Sequence, residues 1–186
     1  MFIGDSKTAG SVFSLATGGF QTPLIEYLGP GAVNVGALVA IRNTPPYSTT
    51  SAAMEEFPAF AAAQVEVPDY VFVNLGTNDL PLIRDASLTE GTWEMGDLLD
   101  AIHAEWPSAK VKVARPLRTD YVAEYTTLND TWIPNVLASR SAWASTGVDE
   151  RDFLTADLRD DTTHPTGAGY VVTARWMAWE YLGLIP

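Results

Sequence analysis

Segments that read as strands alternate with segments that read as helices along all 186 residues. That alternation is the pattern of a parallel sheet covered on both faces. The sharpest segment is PDYVFVNLG (68–76), a run of β-branched and aromatic residues launched by Pro68-Asp69 and ended by Gly76. MFI (1–3) reads as a short first strand ending at Gly4, AVNV (32–35) as a second and AKVKVARP (109–116) as another. FLTADL (153–158) reads as a last short strand or a loop. Between them, TPLIEYLG closes a helix at Gly29, and SAAMEEFPAFAAAQVE is Ala-rich and helical with Pro58 as an interruption. Trp93, Leu98, Leu99, Ile102 and Trp106 have helical spacing, stopped by Pro107. A helical region is expected from about Val122 to Trp143 with Pro134 as a defect, and a C-terminal helix closing at Gly183. NTPPYSTT is a loop, because Pro45-Pro46 continues neither a helix nor a central strand. Right-handed crossovers turn this order into a three-layer α/β/α sandwich with a parallel sheet of about five strands. The length fits one domain over residues 1–186.

Composition removes several classes of function. The net charge of −12 argues against a nucleic-acid partner, which needs clustered Lys and Arg. No run reaches the ~18 apolar residues of a membrane span. The absence of Cys excludes disulfides, thiolate metal sites and a Cys nucleophile. No basic stretch precedes a long apolar one, so no signal peptide is read and the default location is cytoplasmic. Oligomeric state is not legible.

In a sheet of this kind the ligand sits at the carboxyl ends of the strands. The residues that follow the two best-defined strands are Asp5-Ser6 and Thr77-Asn78-Asp79, which would share one rim. Four stretches carry polar residues in apolar or Gly-rich surroundings: GDSK (4–7), NVG (34–36), NLGTND (74–79) and DDTTHP (160–165). Acyl transfer by a serine needs a base, a group that orients the base, and donors for the oxyanion. His164 is one of two histidines, and Asp161 lies three residues before it, a spacing at which a turn folds the carboxylate back onto Nδ1. Asn78 offers a side-chain amide, and Ser6 its own backbone N–H.

These blocks, in this order, resemble the SGNH (GDSL-type) esterase/lipase family over nearly the whole chain. GDS matches its nucleophile block, GTND its Gly-x-Asn-Asp block and DTTHP its Asp-x-x-His-Pro block. The resemblance implies a flavodoxin-like sandwich, Ser6 as nucleophile, His164 as general base, Asp161 as its orienting carboxylate, and Ser6 and Asn78 as oxyanion donors. It implies no cofactor and no metal, and a small-molecule ester as substrate. The second block departs from the family's Asn-x-Gly-x-x-Gly: Asn34 and Gly36 fit, but Val39 stands where the second Gly belongs, so Gly36 and Val39 are rival oxyanion donors. Lys7 is a second departure, a cation that either favours an anionic or polyhydroxylated substrate or points to solvent. Asp160 competes with Asp161 but lacks the family spacing. Asp5 and Asp79 are expected to brace loops, His103 to be structural or exposed, and Trp176 and Trp179 to lie in the core. A metal site from Asp160, Asp161 and His164 is disfavoured, since adjacent acids converge poorly on one ion. The reading is a hydrolase of short-acyl esters, with an O-acetylated carbohydrate as a specific version. The rivals are an acyltransferase or thioesterase using the same residues, and a non-catalytic carbohydrate-binding module.

Overall fold

A computed structural model describes residues 1–9, 19–33, 36–39 and 49–181, with only the backbone of Val39 and Tyr181. Five parallel strands form one sheet: β1 (Phe2–Gly4), β2 (Ala37–Val39), β3 (Tyr70–Asn74), β4 (Lys110–Arg115) and β5 (Ala144–Asp149). Their spatial order is β2-β1-β3-β4-β5, so the three-residue strand at the start of the chain lies inside the sheet. Its ladder to β3 pairs Phe2 with Phe72 and Gly4 with Asn74.

Strand periodicity sorts the side chains into two cores. Ile3, Val71, Val73, Val111 and Val113 face one way, toward the helices α3 (Thr50–Ala62) and α5 (Met95–Glu105). Phe2 and Phe72, whose rings stack at 5.6 Å, face the other way, toward α2 (Gln21–Leu28) and α8 (Gly167–Tyr181). The remaining helices are α1 (Ser6–Ala9), α4 (Leu80–Arg84), α6 (Val122–Thr127) and α7 (Ile133–Ala138). A π-helical turn, Leu128–Trp132, joins α6 to α7 just before Pro134. The wider turn removes the clash a proline ring makes with the preceding turn of an α-helix, so the expected defect is absorbed rather than terminal. Pro58 lies inside α3 with its ring exposed.

The sheet differs from the sequence reading in two places. Ala32 and Val33 are not in a strand; β2 begins at Ala37, after Gly36. The run ALV matches β1 in register, Phe2 to Ala37 and Gly4 to Val39. The fifth strand is ASTGVD (144–149), while FLTADL places Phe153 and Leu154 in the second core and ends in a 3-10 turn at Ala156–Leu158. ASTGVD is polar because it is an edge strand, of which only Ala144 and Val148 are buried. Trp176 is half-buried and stacks on Phe153 at 5.2 Å, whereas Trp179 is exposed. Residues 43–48 of the proline-rich loop and Gly183 lie outside the described residues.

Candidate active site

All five strands end on one rim, and the segments that leave it after β1, β3 and β5 carry the GDSK, NLGTND and DDTTHP blocks. Ser6 opens α1 directly after β1. Asp5, fully buried, accepts the Lys7 backbone N–H on its side chain (3.0 Å) and those of Thr8 and Ala9 on its carbonyl. Asp5 therefore takes the first-turn donors that follow Ser6 and leaves the Ser6 N–H outside that set. Gly4 is required here, since a Cβ would collide with the Thr8 hydroxyl and come within 2.9 Å of the Asn74 carbonyl.

His164 arrives from the far end of the chain. The loop before α8 folds as a short hairpin in which Arg159 pairs with Pro165 and Asp160 N–H donates to the His164 carbonyl at 2.8 Å. Within it Asp161 turns back on itself: Oδ1 accepts the N–H groups of Thr163 and His164, both at 2.6 Å, and Oδ2 lies 2.9 Å from His164 Nδ1. His164 Nε2 lies 3.0 Å from Ser6 Oγ. The structure thus brings Ser6, His164 and Asp161 into one hydrogen-bonded chain. Burial pushes the Asp161 carboxyl up, but the bonds from the His164 ring and from the two N–H groups outweigh it and hold it below the usual range. A neutral imidazole that donates from Nδ1 to this carboxylate presents a lone pair at Nε2 to the serine.

Asn78 sits on the loop after β3, which turns at Gly76 with φ 108°. Its Nδ2 donates to Asp5 Oδ2 at 3.2 Å, which sets the orientation of the amide. Burial raises the Asp5 carboxyl to about 6, against the Lys7 ammonium and N–H, which pull it down. Asp79 braces a different wall: it accepts from Thr50 N–H and hydroxyl and from Trp93 Nε1 (3.1 Å), fixing the start of α3. Burial raises its pKa, against these same bonds.

Two expectations are corrected. Gly36 is not at this rim. It precedes β2, its carbonyl accepts the Phe2 N–H at 3.1 Å, and a Cβ on it would meet Gln64 Oε1 at 2.6 Å. A strand that starts after Gly36 rather than before it carries Gly36 to the amino edge, opposite Ser6. Val39, level with Gly4 at the carboxyl end of β2, is the one of the pair on the correct edge; Asn34 lies outside the described residues. Lys7 faces neither substrate nor solvent. It is 1% exposed, and its Nζ donates to Glu150 Oε2 at 2.6 Å and to the Leu117 carbonyl at 2.8 Å. Glu150 also accepts the Leu117 N–H at 2.8 Å. The pair joins α1 to the loops that follow β4 and β5. Glu150 carries no signal of its own in the sequence, because it follows a fifth strand that the residue pattern does not reveal. His103 stacks on Trp143 at 4.3 Å, as a structural residue.

His164 and Asn78 open onto a shallow cleft whose other walls include Arg118, Thr119, Arg159 and Asp160. A nucleophile block after β1, Gly-x-Asn-Asp after β3 and Asp-x-x-His before the last helix therefore meet on one edge. A model of the GDSL-like Lipase/Acylhydrolase family matches residues 2–172.

The chain belongs to the GDSL-like lipase/acylhydrolase family. As a GDSL-type protein it is a carboxylic-ester hydrolase, and its substrates are small-molecule esters. Solved structures share the fold. A Clostridium thermocellum family 3 carbohydrate esterase superposes with a TM-score of 0.69 at 17% identity, covering 97% of this chain and 92% of that one. A carbohydrate esterase family 3 protein from Talaromyces cellulolyticus gives 0.66 at 20%, covering 99% and 96%. A mutant of an acetyl esterase, solved with an acetate ion, gives 0.64 at 19%, covering 99% and 96%. At these identities the likeness carries the fold alone. No curated protein sequence matches the chain. No described helix of this GDSL-type hydrolase is long and apolar enough to cross a membrane.

Proposed function

We propose that the protein hydrolyses short-acyl carboxylic esters, with O-acetylated carbohydrate as the substrate class, through an acyl-enzyme on Ser6. The observation that carries this is the Ser6–His164–Asp161 chain, with links of 3.0 and 2.9 Å. Ser6 Oγ attacks the ester carbonyl while His164 Nε2 takes its proton. Asp161 holds the imidazole in the tautomer that accepts at Nε2, and stabilises the imidazolium once it forms. The oxyanion is held by the Ser6 N–H and the Asn78 amide, with the backbone at the end of β2, near Val39, as a further donor. The tetrahedral intermediate collapses, the alkoxide leaves with the proton from His164, and the acyl group stays on Ser6. Water then repeats the cycle and releases the acid. The names of the structural relatives, two carbohydrate esterases and an acetyl esterase, support the substrate class. So do the polar residues that line the cleft beside His164.

Ser6→Ala is expected to abolish turnover of 4-nitrophenyl acetate and labelling by a fluorophosphonate, with an unchanged circular dichroism spectrum and Tm. Turnover that survives in the folded variant would sink the mechanism.

A further inference from the structure

The cation beside the nucleophile in sequence is buried, yet two others face the cleft. Arg159 lies one position from His164 across the hairpin ladder, since it pairs with Pro165. Its guanidinium reaches over the cleft to neutral acceptors only: Nη1 donates to Thr119 Oγ1 at 3.0 Å and Nε to the Thr155 carbonyl at 3.3 Å. Among the described residues no carboxylate lies within ion-pair distance of it. Arg118 stands on the next loop. Its Nε is taken by Asp120 at 3.1 Å, its Nη1 reaches the Thr77 carbonyl at 3.5 Å, and its plane lies over the Tyr121 ring. Thr119 N–H donates to the Thr162 carbonyl at 2.9 Å, so the two loops that carry these arginines are tied together.

A chain of net charge −12 thus keeps, among its described residues, an uncompensated guanidinium at the mouth of its active site, on the wall shared with the base. Arginine supplies a planar fork of donors that suits carboxylates, and a partly spent fork still has N–H groups to offer. Asp160 and Asp161 also line the cleft and repel an anion, so a carboxylate is favoured there only in direct contact with the guanidinium groups.

We propose that this cleft binds a carboxylate on the alcohol portion of the substrate, held by Arg159 with Arg118 behind it, so that the preferred substrates are O-acetylated acidic sugars of the uronate type. The inference rests on the serine-esterase reading above, and deepens it from carbohydrate esters to anionic ones. Arg159 then acts in specificity, as a binding group remote from the scissile bond.

The test measures acetate release from a mono-O-acetylated methyl glucuronoside and from its neutral glucuronamide counterpart, with 4-nitrophenyl acetate as reference. The wild type is expected to prefer the carboxylate in kcat/KM by about tenfold, mainly through KM. That preference should shrink as salt is raised. Arg159→Gln is expected to bring the ratio close to one, and Arg159→Lys to keep part of it, with Tm recorded for both variants. A wild type without preference, or a preference that survives Arg159→Gln, overturns the inference. So does an equal loss on both sugars with the ratio intact, which would mark Arg159 as a brace of the hairpin. If the wild type turns over the reference ester but shows no preference, only this inference fails. If it turns over none of the three, the serine-esterase reading fails with it.

Discussion

Asp5 and Asp161 are both carboxylates of the active-site rim, and their surroundings drive them in opposite directions. Asp161 is half in solvent and gains three hydrogen bonds to its charged form, so its pKa falls. It adds stability that is present above the ordinary Asp range and lost as the pH drops through its lowered value. Asp5 is buried next to Ser6, and burial raises it from 3.8 to about 6. Between those values the folded chain holds a proton that the unfolded chain has released. Asp5 therefore favours folding at low pH, and that contribution is lost as the pH rises through about 6. The difference amounts to about 3 kcal/mol at most. Asp5→Asn removes this dependence. In urea unfolding, the stability of the variant relative to wild type should rise between pH 4 and pH 7; a constant difference would mean that Asp5 titrates normally. Both residues sit beside motifs legible in the sequence, but the sign of each shift depends on how deep the carboxylate lies, which spacing along the chain does not encode.

At the scale of elements, the buried Lys7–Glu150 pair does the work of a cross-tie. It holds the turn after β1 against the loops after β4 and β5, so Ser6 and the Arg118 loop keep a constant separation. Removing one partner leaves a charge without compensation in the interior. Lys7→Met is expected to cost about 3–5 kcal/mol in chemical denaturation. Adding Glu150→Gln should recover part of that loss, because Gln still accepts the Leu117 N–H while carrying no charge. A double variant no more stable than the single one would show that packing, not charge, sets the cost. The elements themselves were unevenly legible. β3 announces itself by a dense run of Val and aromatic residues and β4 by its alternating valines, and both lie inside the sheet. β2 and β5 are its edges, and their short or polar sequences satisfy only one ladder each. The displaced start of β2 carried a real consequence: a shift of a few residues moves Gly36 from one end of the sheet to the other.

For the molecule as a whole, the segments that follow β3, β4 and β5, the last of them with the hairpin before α8, line one open cleft beside His164. Among the described residues that line it, Ala156 alone has a wholly apolar side chain, so a long acyl chain gains little by entering it. Hydrolysis of 4-nitrophenyl esters is expected to be fastest for acetate, somewhat slower for butyrate and lower by about tenfold or more for octanoate, measured as kcat/KM. A profile rising toward octanoate would assign the enzyme to lipid-like substrates instead. The sequence by itself determined the layered α/β architecture and the blocks that identify the family, because both depend on local properties: periodicity, strand-ending glycines, and short motifs whose residues act within one turn. Only the tertiary structure decided that Lys7 is a buried strut, that Gly36 lies at the amino edge, and that Arg118 and Arg159 face the cleft beside His164. Those outcomes depend on which strands end beside one another and on which side chains lose their water there, and residues far apart along the chain settle both together.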